Sequence, residues 1–208
     1  MTFKVDGLNF EGVFAQPEAH AGSMPGVVVC HPHPLYGGDM GSSVVLAVAF
    51  ALADQGFATL RFNFRGVGGS EGRHGKGEVE QQEVLGALEM LKAWPGVDGR
   101  RLGLAGYSFG ASVVLGSPAL HRRARAFALI SPSLRALEST KLGTRNLPTL
   151  IIAGDRDKLV QSDQFATALE SFDYPPTCHI VGGADHFWPG YENQLAARVA
   201  EFFSVTLK

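Results

Sequence analysis

Little in this chain is extreme, and each shortage removes a class of function. Charged residues are only 18% of 208, and the formal net charge is −2. That balance gives no electrostatic reason to bind nucleic acid or an anionic membrane. There are two cysteines, Cys30 and Cys178, too few for a disulfide framework. The longest unbroken apolar run, Val44 to Ala53, has ten residues, well short of the roughly 18–20 that span a bilayer. The opening residues MTFKVDGLNFEGVFAQ alternate polar and apolar side chains and lack the continuous hydrophobic region of a signal peptide. The expectation is a cytoplasmic protein with both thiols reduced, with no membrane or nucleic-acid partner. The sequence carries no indication of oligomeric state.

What is present is a recurring unit: a short β-rich run, a glycine-marked loop, then a helical pattern. The strand candidates are Gly26–Cys30, Ala58–Phe64, Arg101–Gly106, Ala126–Ser131, Pro148–Gly154 and Thr177–Gly182. Helix candidates lie between them at Ser42–Gln55, Glu78–Lys92, the small-residue stretch after Ser108, Ser162–Glu170 and Glu192–Phe203. Strand runs without strict alternation are expected when helices cover both faces of a parallel sheet. Phe3 to Phe14 reads as one or two additional strands. A single α/β domain over 1–208 is expected, with a mostly parallel central sheet flanked by helices. Ligands in such folds bind beyond the carboxyl ends of the strands.

The pattern G-x-S-x-G occurs twice, as GYSFG (Gly106–Gly110) and GGSEG (Gly68–Gly72). A nucleophile on this motif needs a strained turn set directly between a strand and a helix. Ser108 meets that demand, because RLGLA leads into Gly106 and ASVVLG follows. Ser70 does not, because its strand ends near Phe64 and RHGKG delays any helix; it reads as a loop serine. A serine hydroxyl needs a base, and the base needs an orienting carboxylate. His186 lies in the loop after the last strand candidate, whereas His179 sits inside it. Asp155 and Asp157 both follow Pro148–Gly154; Asp185 adjoins His186 too closely in the chain to fold back on the same ring.

HPHPLYGGDM, RFNFRGVGGSEG, GYSFG, GDRDKLV and GADHFWPG each follow a strand candidate, in that order. With these motifs the chain resembles the α/β-hydrolases along nearly its whole length. It is most similar to small, lid-poor bacterial esterases and dienelactone-hydrolase-like proteins with an HPHP-x-x-GG motif. The resemblance implies an α/β-hydrolase fold without a large cap domain, and it selects Asp157 over Asp155 as the acid, leaving Asp155 as a turn-capping carboxylate. It further implies that the segment after the first central strand supplies half of an oxyanion hole. Pro32 and Pro34 have no N–H, so only His31 and His33 can donate there from the backbone. By position the donor is His33, joined by the N–H of Phe109. A metal reading of His-x-His lacks a third ligand, so neither metal nor cofactor is expected. One of the His31 and His33 rings is expected to brace the loop. Arg65 either pairs with Glu71 or Glu78 or is solvated.

The expected activity is acyl transfer on small carboxylic esters through Ser108, with His186 as base and Asp157 as orienting acid. Leu35, Tyr36, Tyr107, Phe109 and Trp188 flank these positions and are candidates for the substrate pocket. A thioesterase or small peptidase of the same fold is the alternative. A binding protein that keeps the scaffold without turnover is the other.

Overall fold

The computed structural model describes residues 1–17, 22–160 and 164–208. The first strands, β1 (Thr2–Val5) and β2 (Leu8–Ala15), form an antiparallel hairpin. Asp6 (φ 49°) and Gly7 (φ 84°) make its two-residue turn, the positive-φ pair that matches the twist of paired strands. There follow β3 (Met24–Cys30), β4 (Ala58–Phe62), β5 (Val97–Tyr107), β6 (Ala126–Ile130), β7 (Thr149–Gly154) and β8 (Thr177–Val181). Together they form one eight-stranded sheet in the order β1-β2-β4-β3-β5-β6-β7-β8. From β4 to β8 every pairing is parallel, and β2 joins β4 antiparallel.

Side chains alternate across this sheet and feed two separate apolar layers. Val27 and Val29 of β3, with Ala105, Ile130 and Ile152, meet α1 (Ser43–Asp54) and α7 (Glu192–Leu207). Val28 and Cys30, with Leu60, Leu104 and Leu129, meet α2 (Glu80–Lys92) and α3 (Phe109–Leu115) on the other face. Burial on both faces is why these strands are apolar throughout rather than alternating. A short helix, α4 (Leu120–Arg123), precedes β6, and the link from β6 to β7 holds only α5 (Leu134–Ser139) and a 3₁₀ turn at Leu142–Thr144. No helix among the described residues is long and apolar enough to cross a membrane.

Element ends differ from the sequence expectation for local reasons. β4 stops at Phe62 because the Phe64 N–H donates to His31 Nε2 at 3.0 Å instead of to a neighbouring strand. α2 starts at Glu80, not Glu78, because the Glu80 carboxylate folds back to accept the Gly75 and Gly77 N–H groups (2.6 and 2.8 Å). α7 continues past Phe203 because Leu207 extends its buried face. Of the helix expected at Ser162–Glu170, Phe165–Leu169 is helical as α6, and Ser162 lies outside the described residues.

The α7 layer approaches the sheet closely at Gly103, where a Cβ would stand 2.5 Å from the buried Phe203 ring. Truncating that ring in Phe203→Ala should cost about 3–5 kcal/mol, read from urea unfolding; a loss under about 1 kcal/mol would mean this contact is not part of the core.

Candidate active site

β5 ends at Tyr107, and the chain turns into α3 within one residue. That residue is Ser108, at φ 53° and ψ −107°, a backbone region that L side chains rarely adopt. Its N–H is anchored to the Ile130 carbonyl at 2.8 Å. The flanking glycines are dictated by space. A Cβ on Gly106 would lie 2.6 Å from the Ala111 nitrogen, and one on Gly110 would lie 2.5 Å from the Cys30 carbonyl oxygen. Both obstacles are backbone, which cannot step aside as a flexible side chain would.

Three loops at the same end of the sheet converge on this turn. Ser108 Oγ lies 2.9 Å from His186 Nε2, and His186 Nδ1 lies 2.7 Å from Asp157 Oδ2. Asp157 Oδ1 accepts the N–H groups of Leu159 (2.9 Å) and Val160 (2.8 Å). Burial of Asp157 opposes ionisation, but the His186 hydrogen bond and charge, with those two N–H donors, outweigh it and hold the carboxyl below its usual range. An ionised Asp157 accepts a hydrogen bond from Nδ1–H, which keeps that proton on Nδ1 and leaves the Nε2 lone pair free to accept the serine proton.

The His186 loop is itself clamped. Tyr107 O–H donates to the His186 carbonyl at 2.7 Å, and burial followed by nearby carboxylates raises its phenol pKa. Asp185 does not orient the imidazole; its Oδ1 accepts the N–H groups of Phe187 (2.9 Å) and Trp188 (3.2 Å). Asp155 accepts the Gly183 N–H at 2.7 Å, tying the β7 and β8 loops together across the site rather than capping its own turn. His179 stays in β8.

The HPHP segment forms the remaining wall. His33 opens a 3₁₀ turn at Pro34–Tyr36, and its Nδ1 accepts the Leu35 N–H at 3.2 Å. Neither the His33 nor the Phe109 backbone N–H has an acceptor among the described residues, and their rings pack with centroids 5.0 Å apart. His31 points inward: its Nδ1–H donates to the Pro32 carbonyl (2.6 Å) while Nε2 accepts from Phe64. Burial pushes its pKa down to about 4, against the raising effect of the Pro32 carbonyl. No group of three or more His, Cys, Asp or Glu among the described residues is placed to hold a metal ion.

The cleft around Ser108 encloses about 1070 Å³ and includes Pro32, His33, Tyr36, Tyr107, Phe109 and His186 in its lining. Two expected pocket residues do not line it. Trp188 is fully buried, its Nε1–H donating to Ser131 Oγ at 3.2 Å, because the Asp185 turn directs the indole into the core. Leu35 is 71% exposed and faces away from the cleft, since the 3₁₀ turn presents Tyr36 instead. Leu159, Val160 and Phe187 line it unannounced, their only sequence signal being adjacency to Asp157 and His186. Arg65 pairs with neither Glu71 nor Glu78 but with the buried Glu83 of α2; Glu71 instead accepts from the backbone and side chain of Asn9. The second serine motif is structural: Ser70 Oγ donates to the Asn63 carbonyl (2.7 Å) and accepts the Glu11 N–H.

The family model of the dienelactone hydrolase family matches residues 10–189. The chain belongs to the dienelactone hydrolase family. Among similar solved structures, an α/β serine hydrolase homologue from Coxiella burnetii has TM-score 0.86 at 29% identity, over 97% of this chain and 95% of the other. A lid-less α/β serine hydrolase from Xanthomonas campestris has TM-score 0.85 at 29% identity, over 100% and 94%. An uncharacterized protein of Rickettsia prowazekii (strain Madrid E) is 30% identical over 95% of this chain and 85% of its own length. The fold is the α/β-hydrolase fold without a large cap, and this dienelactone-hydrolase-family member is a hydrolase.

His31 makes the family member's stability pH-dependent. The unfolded imidazole binds a proton near pH 6.5, whereas the folded one does so only near 4. Its contribution is therefore complete above pH 6.5 and is lost as pH falls towards 4, a total of about 3 kcal/mol. In His31→Gln, which keeps an acceptor for Phe64 but cannot titrate, urea unfolding should show a shallower decline over that interval; parallel declines would remove His31 as the cause. A second substitution checks the elbow: Gly110→Ala should lose about 2–3 kcal/mol, and retention of wild-type stability would show that the Cys30 backbone can yield.

Proposed function

We propose that the protein is a serine hydrolase of small carboxylic esters, with Ser108 as nucleophile, His186 as general base and Asp157 as the acid that orients it. The reading is carried by the Ser108–His186–Asp157 hydrogen-bonded chain at the mouth of an open cleft. In this mechanism His186 takes the Ser108 proton as Oγ attacks the carbonyl carbon. The N–H groups of His33 and Phe109 stabilise the tetrahedral oxyanion. His186 then protonates the departing alcohol, and a water deprotonated by the same ring hydrolyses the acyl-enzyme. Tyr36, Tyr107 and the rim residues Leu159 and Phe187 contact the acyl or alcohol part of the substrate. Leu35 and Trp188 are left out of this role by their placement.

Fluorophosphonate labelling with peptide mapping tests the nucleophile without a chosen substrate. Modification at Ser108, absent in His186→Ala, is the expected result; folded protein that stays unlabelled would end this reading. On a nitrophenyl ester, Ser108→Ala should lose on the order of 10⁴-fold or more in kcat.

The oxyanion assignment has its own test. His33 lies at φ −63°, an angle proline adopts, so His33→Pro deletes the N–H without demanding a new φ. Its kcat/KM should fall by on the order of 10²–10³, while His33→Ala, which keeps the N–H, should stay within about tenfold. Equal losses in the two variants would move the function from amide to imidazole.

A further inference from the structure

The cleft carries apolar surface and hydroxyl groups but, among the described residues that line it, no Lys, Arg, Asp or Glu. Its mouth is apolar: Tyr36, Leu159 and Phe187 are 87%, 69% and 67% exposed. Three residues that follow Val160 lie outside the description, and Gln161, Ser162 and Asp163 include no cation. Lys158 is exposed and does not line the cleft. Two basic side chains do line it. His186 is engaged by Ser108 and Asp157. His33 accepts a backbone proton at Nδ1, and burial, then the neighbouring His74, lowers its pKa, so it stands neutral at neutral pH.

Two of the lining hydroxyls, those of Ser112 and Ser133, have no proton left to offer an anion. Ser112 O–H donates to the Ser108 carbonyl at 3.2 Å, and Ser112 Oγ lies 3.1 Å from Ser133 Oγ. With the Ser112 proton so placed, the proton in the second contact is that of Ser133, whose oxygen also accepts the Ala136 N–H at 3.3 Å. Each hydroxyl has one proton and two acceptor sites. Both protons are consumed inside the protein, and what the pair has left for a ligand is oxygen lone pairs.

We propose that this cleft selects uncharged esters and discriminates against those bearing a carboxylate, with the Ser112–Ser133 pair accepting a hydrogen bond from a substrate hydroxyl or N–H. The inference rests on Ser108 being an activated nucleophile. An anion entering here gives up hydration, finds no Lys or Arg among the described lining residues to pair with, and approaches the ionised Asp157 behind His186. Unpaired, desolvated charge is strongly disfavoured, and the openness of the cleft moderates the penalty without supplying a partner.

The test compares two fluorophosphonates of equal chain length, one ending in a methyl group and one in a carboxylate, by their second-order rates of labelling Ser108. In each, Ser108 Oγ forms the P–O bond, fluoride leaves, and the serine proton passes to His186. The neutral probe should react about 30-fold faster, equivalent to about 2 kcal/mol at 1.4 kcal/mol per tenfold. Leu159→Arg, which puts a guanidinium at the rim in place of an exposed side chain, should narrow that ratio to threefold or less. Equal wild-type rates would overturn the charge selection while leaving the nucleophile intact. A preference that Leu159→Arg leaves unchanged would overturn the electrostatic cause. Failure of both probes to label folded protein would instead remove the serine-hydrolase reading, and this inference with it.

Discussion

The start of α3 presses against the end of β3, with Gly110 so near the Cys30 carbonyl that a single added carbon does not fit. Much of the site's geometry depends on that contact. It holds the Ser108 turn in its positive-φ conformation, and it sets Phe109 beside the segment that follows Cys30. Because β3 and β5 are neighbours in the sheet, the contact also brings Phe109 beside His33, two residues whose backbone amides have no acceptor among the described residues. A strained turn persists when its surroundings leave it no alternative. Here those surroundings are the Ile130 carbonyl below and the Cys30 backbone beside it.

Around this turn the protein arranges its ionisable groups so that charge is kept behind the cleft rather than in it. His31 is buried and neutral, joining the end of β3 to Phe64. Glu80 and Glu83 are wholly buried on α2, one accepting two glycine N–H groups and the other Arg65. Burial raises the Glu83 carboxyl even against the arginine's opposing effect. Asp157 is hydrogen-bonded to His186 through one oxygen, and its second oxygen is occupied by two backbone donors. Buried charges need such partners, and here Glu80, Glu83 and Asp157 each also tie down a neighbouring stretch of backbone. Rigidity and electrostatics are thus supplied by the same contacts.

The short β6–β7 connection leaves the cleft open and its mouth apolar. An open site excludes water poorly, so the polar groups that remain inside have to be oriented in advance by the loops. The Tyr107 hydroxyl on the His186 carbonyl and the Asp185 turn do this for the imidazole. The same turn explains why Trp188 is part of the core and Phe187 part of the rim: successive residues of a tight turn point to different sides.

By itself the sequence determined the layered α/β order, because apolar runs, glycine loops and helical patterns follow from local spacing and chain composition. It also singled out Ser108 over Ser70, since only one of them stands directly between strand and helix. The motif resemblance, not spacing, separated Asp157 from Asp155. Tertiary structure alone decided which long-range partners meet. Arg65 found Glu83 rather than Glu71 or Glu78 because the helix presents Glu83 on its buried face, and Asn9 had already taken Glu71. Trp188, Leu35 and Leu159 were sorted into core, solvent and cleft by turn geometry that no neighbouring residue type specifies. Side-chain direction in a loop depends on which distant strand ends lie beside it, and that is set by strand order in the sheet, not by position along the chain.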